Sequence, residues 1–285
     1  MRFLIAESEP ARAREVRRES VGRSSGETYC DVLRDMVPGA RCDRVSPVDA
    51  GSEMPAGAAI ADYDAVFATG SPLHLYEENE QTRRGIAFMR GVFAAGVPAF
   101  GSCAGLQLAT VAAGGTVRPM RDRREAGFAR RIYPTAAGAD HPLLAGRPPA
   151  FDAPAIHSDE VERLPDGATL LASNAVTEVQ AAEIRSGAGI FWGVQYHPEL
   201  SMAEIAAALR REAEGLVAHG LLHDVADAEA VAVLVDALGA EPDRRDLQWR
   251  LGLDAAIGRV ENRRLELRNF IDRLVRPTQA RRGRG

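Results

Sequence analysis

Short apolar runs alternate with amphipathic segments along the first part of the chain. Runs bounded by turn residues predict β-strands at 2–7, 64–70 and 97–101. Between them, apolar residues recur at helical spacing, which predicts helices over 27–36 and 78–96. Strands separated by helices are typical of an open, mostly parallel sheet with helices on both faces. The pattern therefore predicts an α/β fold.

The pattern changes after Gly115. Several short apolar segments follow, separated by turn residues and without a long helix among them: RRIYPT, ATLLAS, EVQAAEI and GIFWGVQ. They predict added, partly antiparallel strands. Helical spacing returns over 201–220, and a charged pair of helices is predicted over roughly 227–238 and 246–275.

The C-terminal helices carry an apolar stripe that must be covered by other apolar groups. Its members are Leu247, Leu251, Ile257, Val260, Leu267, Ile271 and Leu274. Two alternatives remain open: the stripe packs against its own domain, or it forms a homodimer or partner interface. The final residues, RPTQARRGRG, predict a disordered basic tail.

Composition excludes several classes of function. The chain has 285 residues, 46% of them hydrophobic, which is enough for one good-sized core. Its net charge of −5 gives no general attraction to nucleic acid or to anionic membranes. Because no apolar run approaches the roughly 20 residues of a membrane helix, we expect a cytoplasmic protein. The sequence contains no lysine, which excludes a lysine nucleophile or Schiff base.

One of the three cysteines differs from the others. Cys30 and Cys42 lie in an amphipathic and a strand-like segment and fit small, partly buried side chains. Cys103 stands in GSCAGLQ, directly after a predicted strand and before a predicted helix. Gly101 and Gly105 allow a tight strand-to-helix elbow that projects the side chain outward. We therefore predict that Cys103 is a nucleophile.

A base and an orienting group for that nucleophile occur far downstream. In GVQYHPE, an apolar strand ends at His197, and Pro198 separates it from Glu199. A thiol that forms acyl intermediates needs a base within hydrogen-bond reach, and the base needs an orienting partner. Cys103, His197 and Glu199 therefore predict a Cys-His-Glu triad, which requires no metal and no organic cofactor.

Five motifs together resemble the successive blocks of class I, triad-type glutamine amidotransferase domains. These motifs are ATGSPLHLYEEN, GSCAGLQ, AIHSDEVERLP, LASNAVTEVQA and GVQYHPE, and the resemblance runs from about residue 2 to about residue 220. It is greatest to stand-alone members that are similar to the amidotransferase domain of GMP synthase. The resemblance implies a flavodoxin-like amidotransferase fold with a catalytic domain over 1–222 and a helical extension over 223–285.

The resemblance also implies roles for individual residues. Cys103 would be the nucleophile, His197 the acid and base, and Glu199 the orienting carboxylate. The N–H groups of Gly70 and Ala104 would form the oxyanion hole. Substrate-binding roles fall on the following residues: Ser71, Gln107, Ser158 and Asp159.

Three further positions have roles that the motifs indicate less specifically. Ser71 replaces a glycine that is common in the family, which leaves the conformation of its loop open. For His157, a structural role and a role in the pocket are both open. Glu125 is expected to be an ion-pair partner of arginine.

The implied reaction is cysteine-dependent hydrolysis of the γ-amide of glutamine or of a γ-glutamyl amide. It would proceed through a γ-glutamyl thioester and release glutamate with ammonia or an amine. One alternative is a glutaminase subunit that delivers ammonia to a separate synthetase, because a chain without lysine cannot contain a G-x-x-x-x-G-K nucleotide loop. Another is a non-catalytic, amidotransferase-like binding or regulatory subunit.

Overall fold

A large mixed sheet forms the centre of the molecule. In the computed structural model, residues 1–55, 57–121 and 124–283 are described. Within them, nine strands form one sheet in the order β2-β1-β3-β4-β11-β10-β9-β6-β7, and β5 pairs with β8 beside it. The strands are β1 Arg2–Ala6, β2 Arg41–Val45, β3 Ala65–Ala68, β4 Ala99–Ser102, β5 Thr116–Pro119, β6 Glu125–Pro134, β7 Phe151–His157, β8 Asp159–Arg163, β9 Ala168–Ser173, β10 Ala181–Ser186 and β11 Gly189–Val194.

The sheet has a parallel and an antiparallel half. Strands β2, β1, β3, β4 and β11 are parallel to their neighbours in that series. Strands β10, β9, β6 and β7 continue the sheet in antiparallel pairing. The predicted α/β class with added antiparallel strands is confirmed. Because β11 runs parallel to β4, the segments that follow these two strands emerge at the same edge of the sheet.

The helices lie on both faces of the sheet and at the C-terminal end of the chain. They are α1 Ala11–Val21, α2 Ser25–Met36, α3 Glu80–Ala95, α4 Ala104–Ala112, α5 Ala136–Ala139, α6 Met202–Arg211, α7 Ala213–Ala218, α8 Val225–Ala240, α9 Arg245–Leu251, α10 Val260–Arg263, α11 Leu265–Phe270 and α12 Arg276–Arg281. A π-helical turn, Ile271–Val275, joins α11 to α12. None of the helices in the described residues has the length and apolar character needed to cross a bilayer.

Three differences from the predicted helices have local causes. Helix α1 was not predicted, because Arg17 is its buried residue and an apolar stripe is missing from its sequence, ARAREVRRESV. The stretch over 201–220 forms two helices that meet at Glu212. The stretch over 246–275 is also divided, because Gly252 takes a left-handed conformation with φ 62° and ends α9.

The apolar stripe of the C-terminal helices is buried by the chain itself. Its members Leu267, Ile271 and Leu274 join Phe3 and the other apolar side chains on one face of the sheet. Further members, Leu247, Leu251 and Ile257, pack in a second cluster with α6 and α8, and Val260 is half-buried. The alternative in which the stripe packs against its own chain is therefore the one found in the structure.

The basic tail differs from the predicted disorder. Residues 276–281 form α12, and Arg276 pairs with Asp272 one turn earlier at 2.9 Å. Just beyond α12, the Arg282 guanidinium donates to the Gly96 carbonyl at 2.6 Å. These contacts hold the tail against the domain, whereas the last two residues of the predicted tail, 284 and 285, lie outside the described residues.

Candidate active site

Cys103 occupies a strained elbow between β4 and α4. Its φ of 52° and ψ of −114° lie where side chains other than glycine are rare. Its N–H donates to the Val194 carbonyl of β11 at 2.8 Å, which ties the elbow to the neighbouring strand. Strain of this kind is found at functional sites, and it projects the thiol beyond the carboxyl edge of the sheet.

The glycines on either side of Cys103 are required by close packing. A Cβ atom at Gly101 would lie 2.8 Å from the Phe191 ring, and one at Gly105 would lie 2.4 Å from the Ala68 carbonyl oxygen. Neither glycine has a positive φ, so the strained torsion belongs to Cys103 itself. The predicted tight elbow is therefore present, and the glycines bring strand and helix together around it.

Strand β11 places His197 beside the elbow. Val194 of β11 is in register with Ser102 of β4, so the residues after both strands emerge together. The His197 N–H donates to the Pro154 carbonyl at 2.7 Å, which fixes the backbone beyond the strand. Gly70 lies directly against the imidazole, since a Cβ atom there would be 2.9 Å from His197 Cε1. The structure thus brings Gly70, Cys103 and His197 together.

A chain of hydrogen bonds fixes the carboxylate behind the imidazole. His197 Nδ1 and Glu199 Oε1 are 2.7 Å apart, and the Ser102 hydroxyl donates to the same oxygen at 2.9 Å. The Tyr29 hydroxyl in turn donates to Ser102 Oγ at 2.8 Å. Neither Ser102 nor Tyr29 was predicted as a site residue. Only the position of Ser102 next to Cys103 could have indicated its contact with Glu199.

His197 carries a proton in this arrangement. Burial lowers its pKa, but the charge of Glu199 and the hydrogen bonds with Cys103 and Glu199 outweigh burial and raise the pKa to about 10. Burial also raises the pKa of Tyr29 well above its usual value, so the hydroxyl that supports Ser102 keeps its proton. The site therefore holds an imidazolium between the Cys103 sulfur and the Glu199 carboxylate, where it can give a proton to a leaving group.

The predicted substrate-binding residues lie on the walls of the same cavity, and they differ in how they are held. Gln107 is buried, and its Nε2 donates to the Asp159 carbonyl at 3.0 Å. The Asp159 carboxylate pairs with His74 Nδ1 at 2.7 Å, whereas Ser158 Oγ is 3.5 Å from it. Ser71 Oγ donates to the Ser8 carbonyl at 2.7 Å. The Ser71 hydroxyl thus holds its own loop in place.

A buried network lies behind Asp159. The Glu125 carboxylate accepts hydrogen bonds from His157 Nε2 at 2.9 Å, Asn174 Nδ2 at 2.6 Å and Gln180 Nε2 at 2.6 Å. His157 Nδ1 faces the Asp159 carbonyl at 2.9 Å, so the ring connects the network to the cavity wall. Among the described residues, Glu125 pairs with His157 and not with the expected arginine, because antiparallel pairing of β6 and β7 sets Glu125 opposite His157.

The cavity that contains these groups has a volume of about 740 Å³. Cys103, His197 and Glu199 lie at its floor, and Gly70, Gln107 and Asp159 line the wall around them. The N–H of Ala104 belongs to the first turn of α4, where N–H groups have no partner within the helix and can face an anion. Across residues 1–55, 57–121 and 124–283, His, Cys, Asp and Glu side chains form no cluster suited to a metal ion.

Sequence comparison extends the resemblance seen in the motifs. The glutamine amidotransferase class-I family profile matches residues 42–213. The chain is 38% identical to a γ-glutamyl-L-1-hydroxyisopropylamide hydrolase from a Pseudomonas species, over 99% of this chain and 95% of the relative. It is 32% identical to the glutamine-hydrolysing GMP synthase of Leifsonia xyli subsp. xyli, over 61% of this chain and 31% of that synthase.

Structural comparison gives the same fold. A glutamine amidotransferase from Thermotoga maritima superposes with a TM-score of 0.64, covering 96% of this chain and 97% of the other. The identity between the two is 17%, so this likeness concerns the fold alone. The family profile spans the elbow and the His-Pro-Glu segment, and the alignment with the Pseudomonas hydrolase spans nearly the whole chain. The chain therefore belongs to the class I glutamine amidotransferase family of enzymes.

Proposed function

We propose that the chain hydrolyses the γ-amide bond of γ-glutamyl amides and releases glutamate and an amine. The observation that carries this proposal is the strained Cys103 elbow, which faces the His197–Glu199 pair at the floor of a 740 Å³ cavity. The relative that aligns over 99% of the chain is named for hydrolysis of a γ-glutamyl alkylamide, which supports the same reaction type here.

The first chemical step forms the acyl-enzyme. The Cys103 thiolate attacks the γ-carbonyl carbon, a C–S bond forms, and the carbonyl π electrons move to the oxygen. The N–H groups of Gly70 and Ala104 are the proposed donors to this oxyanion. Removing one such donor typically slows a reaction by about 100- to 1,000-fold.

The second step releases the amine. His197 gives its proton to the amide nitrogen, the C–N bond breaks, and a γ-glutamyl thioester remains on Cys103. The neutral imidazole then takes a proton from water while the water oxygen bonds to the thioester carbonyl. The C–S bond breaks, glutamate leaves, and the sulfur and imidazolium return to their starting states. Glu199 holds the ring in position throughout.

The wall residues fit the amino-acid end of a γ-glutamyl group. The Asp159 carboxylate faces the cavity and has the charge needed to bind an α-ammonium group. Gln107 holds Asp159 in place through its carbonyl, and Ser158 lies beside it. We assign recognition of the γ-glutamyl end to Gln107, Ser158 and Asp159, with Ser71 shaping the loop next to them.

The test is glutamate release by the purified chain from glutamine and from a panel of γ-glutamyl amides. We expect turnover by the wild type, a loss of at least about 1,000-fold for Cys103→Ala, and normal rates for the matched control Cys30→Ala. A Cys103→Ala variant that keeps substantial activity would contradict the proposal. Circular dichroism should show that both variants are folded.

A second candidate function is supply of ammonia to a separate synthetase, and the similarity to GMP synthase favours it. In that case the isolated chain would react at Cys103 with a glutamine-mimicking electrophile such as 6-diazo-5-oxonorleucine. It would nevertheless turn over no amide until a synthetase was added. Mass spectrometry of the labelled chain, together with the glutamate assay, separates the two functions.

A further inference from the structure

The cavity is much larger than the γ-glutamyl group requires. Its 740 Å³ lies in the range of about 300–1,000 Å³ that holds drug-sized ligands, and glutamine is far smaller than such ligands. Beyond Cys103 and His197, the cavity continues as a cleft between α1 on one side and α6 and α7 on the other. We call this part the outer cleft. Its apolar lining includes Pro10, Ala13 and Val16, together with the buried Ala208 and Leu216.

Two walls of the outer cleft lie outside the residues that the family profile matches. The class I profile matches residues 42–213, which include Cys103 and His197. Helix α1 precedes this range, and Leu216 of α7 follows it. The alignment with the Pseudomonas hydrolase covers 99% of the chain and so includes nearly all of these residues.

A buried contact between α1 and α6 fixes the position of one wall of the outer cleft relative to the other. Arg17 of α1 donates to Glu204 Oε1 of α6 at 2.9 Å, and the Thr28 hydroxyl donates to the same oxygen at 2.6 Å. Both charged side chains are about nine-tenths buried. Because a buried ion pair keeps its geometry far better than an exposed one, α1 has a fixed position opposite α6.

The lining of the outer cleft suits an uncharged group. Val16 is 42% exposed although it is apolar, and it faces the cavity. The charges nearby are balanced: Glu204 neutralises Arg17, Arg211 lies 3.8 Å from Glu212, and Glu9 and Arg12 add one charge of each sign.

We propose that the outer cleft binds the amine half of the substrate and selects uncharged alkyl or aryl amines over ammonia. This inference rests on the proposed γ-glutamyl amide hydrolysis and names its substrate class. A γ-glutamyl amide with its carbonyl carbon at Cys103 and its α-ammonium at Asp159 directs its nitrogen substituent away from Asp159. The outer cleft is the remaining space of the cavity, and Ala13 and Val16 offer apolar contact there.

The first measurement compares substrates. We expect the wild type to hydrolyse γ-glutamyl isopropylamide and γ-glutamyl anilide with kcat/KM at least about tenfold above that for glutamine. γ-Glutamylglycine, with an anionic amine half, and γ-glutamylputrescine, with a cationic one, should react more slowly than the two uncharged amides. A preference for glutamine or for either charged amide would overturn the inference.

The second experiment fills the outer cleft with a larger side chain. Ala13→Phe should shift the ratio of kcat/KM for the anilide over that for glutamine by at least about tenfold toward glutamine. The matched control is Ala11→Phe, on the same helix but exposed and outside the cavity lining, and it should leave the ratio unchanged. Val16→Ser, at an exposed position that tolerates substitution, should raise KM for the anilide by about three- to tenfold.

The outcomes separate this inference from the function on which it rests. If the wild type hydrolyses none of the amides, both fail. If it hydrolyses them but the ratio stays the same in Ala13→Phe and in Val16→Ser, the proposed function stands and the outer cleft does not select the amine.

Discussion

At the scale of residues, the charge of His197 is set by its two neighbours. Burial opposes the imidazolium, yet Glu199 and Cys103 raise the pKa of His197 to about 10. The ring is therefore protonated at neutral pH and loses its proton only in alkaline solution. We expect kcat/KM to fall on the alkaline side with an apparent pKa near 10, because a neutral ring has no proton to give to the leaving nitrogen. A pH–rate profile from pH 6 to 11 measures this.

The matched variant for this prediction is Glu199→Gln. An amide at this position can still orient the ring but no longer attracts its positive charge, so the alkaline limb should move to lower pH by about one unit or more. An alkaline limb that stays in place would show that Glu199 does not set the charge of His197.

The sequence indicates the proposed reacting residues more directly than the groups that support them. Cys103, His197 and Glu199 lie in short motifs at strand ends, where glycine and proline leave few backbone alternatives. Tyr29, in contrast, lies in an ordinary amphipathic helix, and only the packing of α2 brings its hydroxyl to Ser102. The partners of Glu125 depend on the register of β6 with β7, which a local pattern does not contain.

At the scale of elements, α1 shows how an ion pair can fix a helix that lacks an apolar stripe. Replacing Arg17 with Met leaves Glu204 charged, buried and short of a partner. We expect a loss of about 3–5 kcal/mol in the free energy of unfolding, measured by urea denaturation. The control is Arg18→Met on the same helix, whose exposed pair with Glu27 should contribute about 1 kcal/mol or less.

A second substitution tests whether the loss arises from the charge. Glu204→Gln in the Arg17→Met background removes the unpaired carboxylate but keeps an acceptor for Thr28. We expect part of the stability to return, and a further loss in the double variant would contradict an ion-pair origin. This contact also explains why the sequence did not predict α1: the partner of Arg17 lies in a distant helix, and periodicity reports only apolar faces.

At the scale of the whole molecule, the C-terminal helices complete the core of the sheet. Phe270 packs edge-on against Phe67 with ring centroids 5.4 Å apart, and against Phe100 at 5.5 Å and Trp192 at 6.0 Å. Phe270→Ala should therefore lower the free energy of unfolding by about 3–5 kcal/mol. The control Trp249→Ala, at a side chain that is 68% exposed, should change it by about 0.5 kcal/mol or less. Equal effects of the two variants would contradict this account.

The buried Glu266 joins the same helices to the segment that precedes His197. Arg147 donates to both Glu266 oxygens, at 2.6 and 2.7 Å, and the Tyr196 hydroxyl donates to Glu266 at 2.8 Å. Tyr196 directly precedes His197 in the chain. The sequence predicted helices in this region but did not show which surface they pack against. The reason is that the apolar stripe shows which face is buried but does not show which surface covers it.

The position of Phe270 has a consequence for how the chain is made. Its partner Phe67 packs in turn against Phe3, so the cluster joins an earlier segment of the chain to a much later one. At a translation rate of about 5–20 residues per second, about 10–40 seconds pass between the synthesis of Phe67 and that of Phe270. During that time one face of the nascent sheet stays uncovered and open to association with other chains. Closure of this core therefore requires that the segment containing Phe270 has left the ribosome.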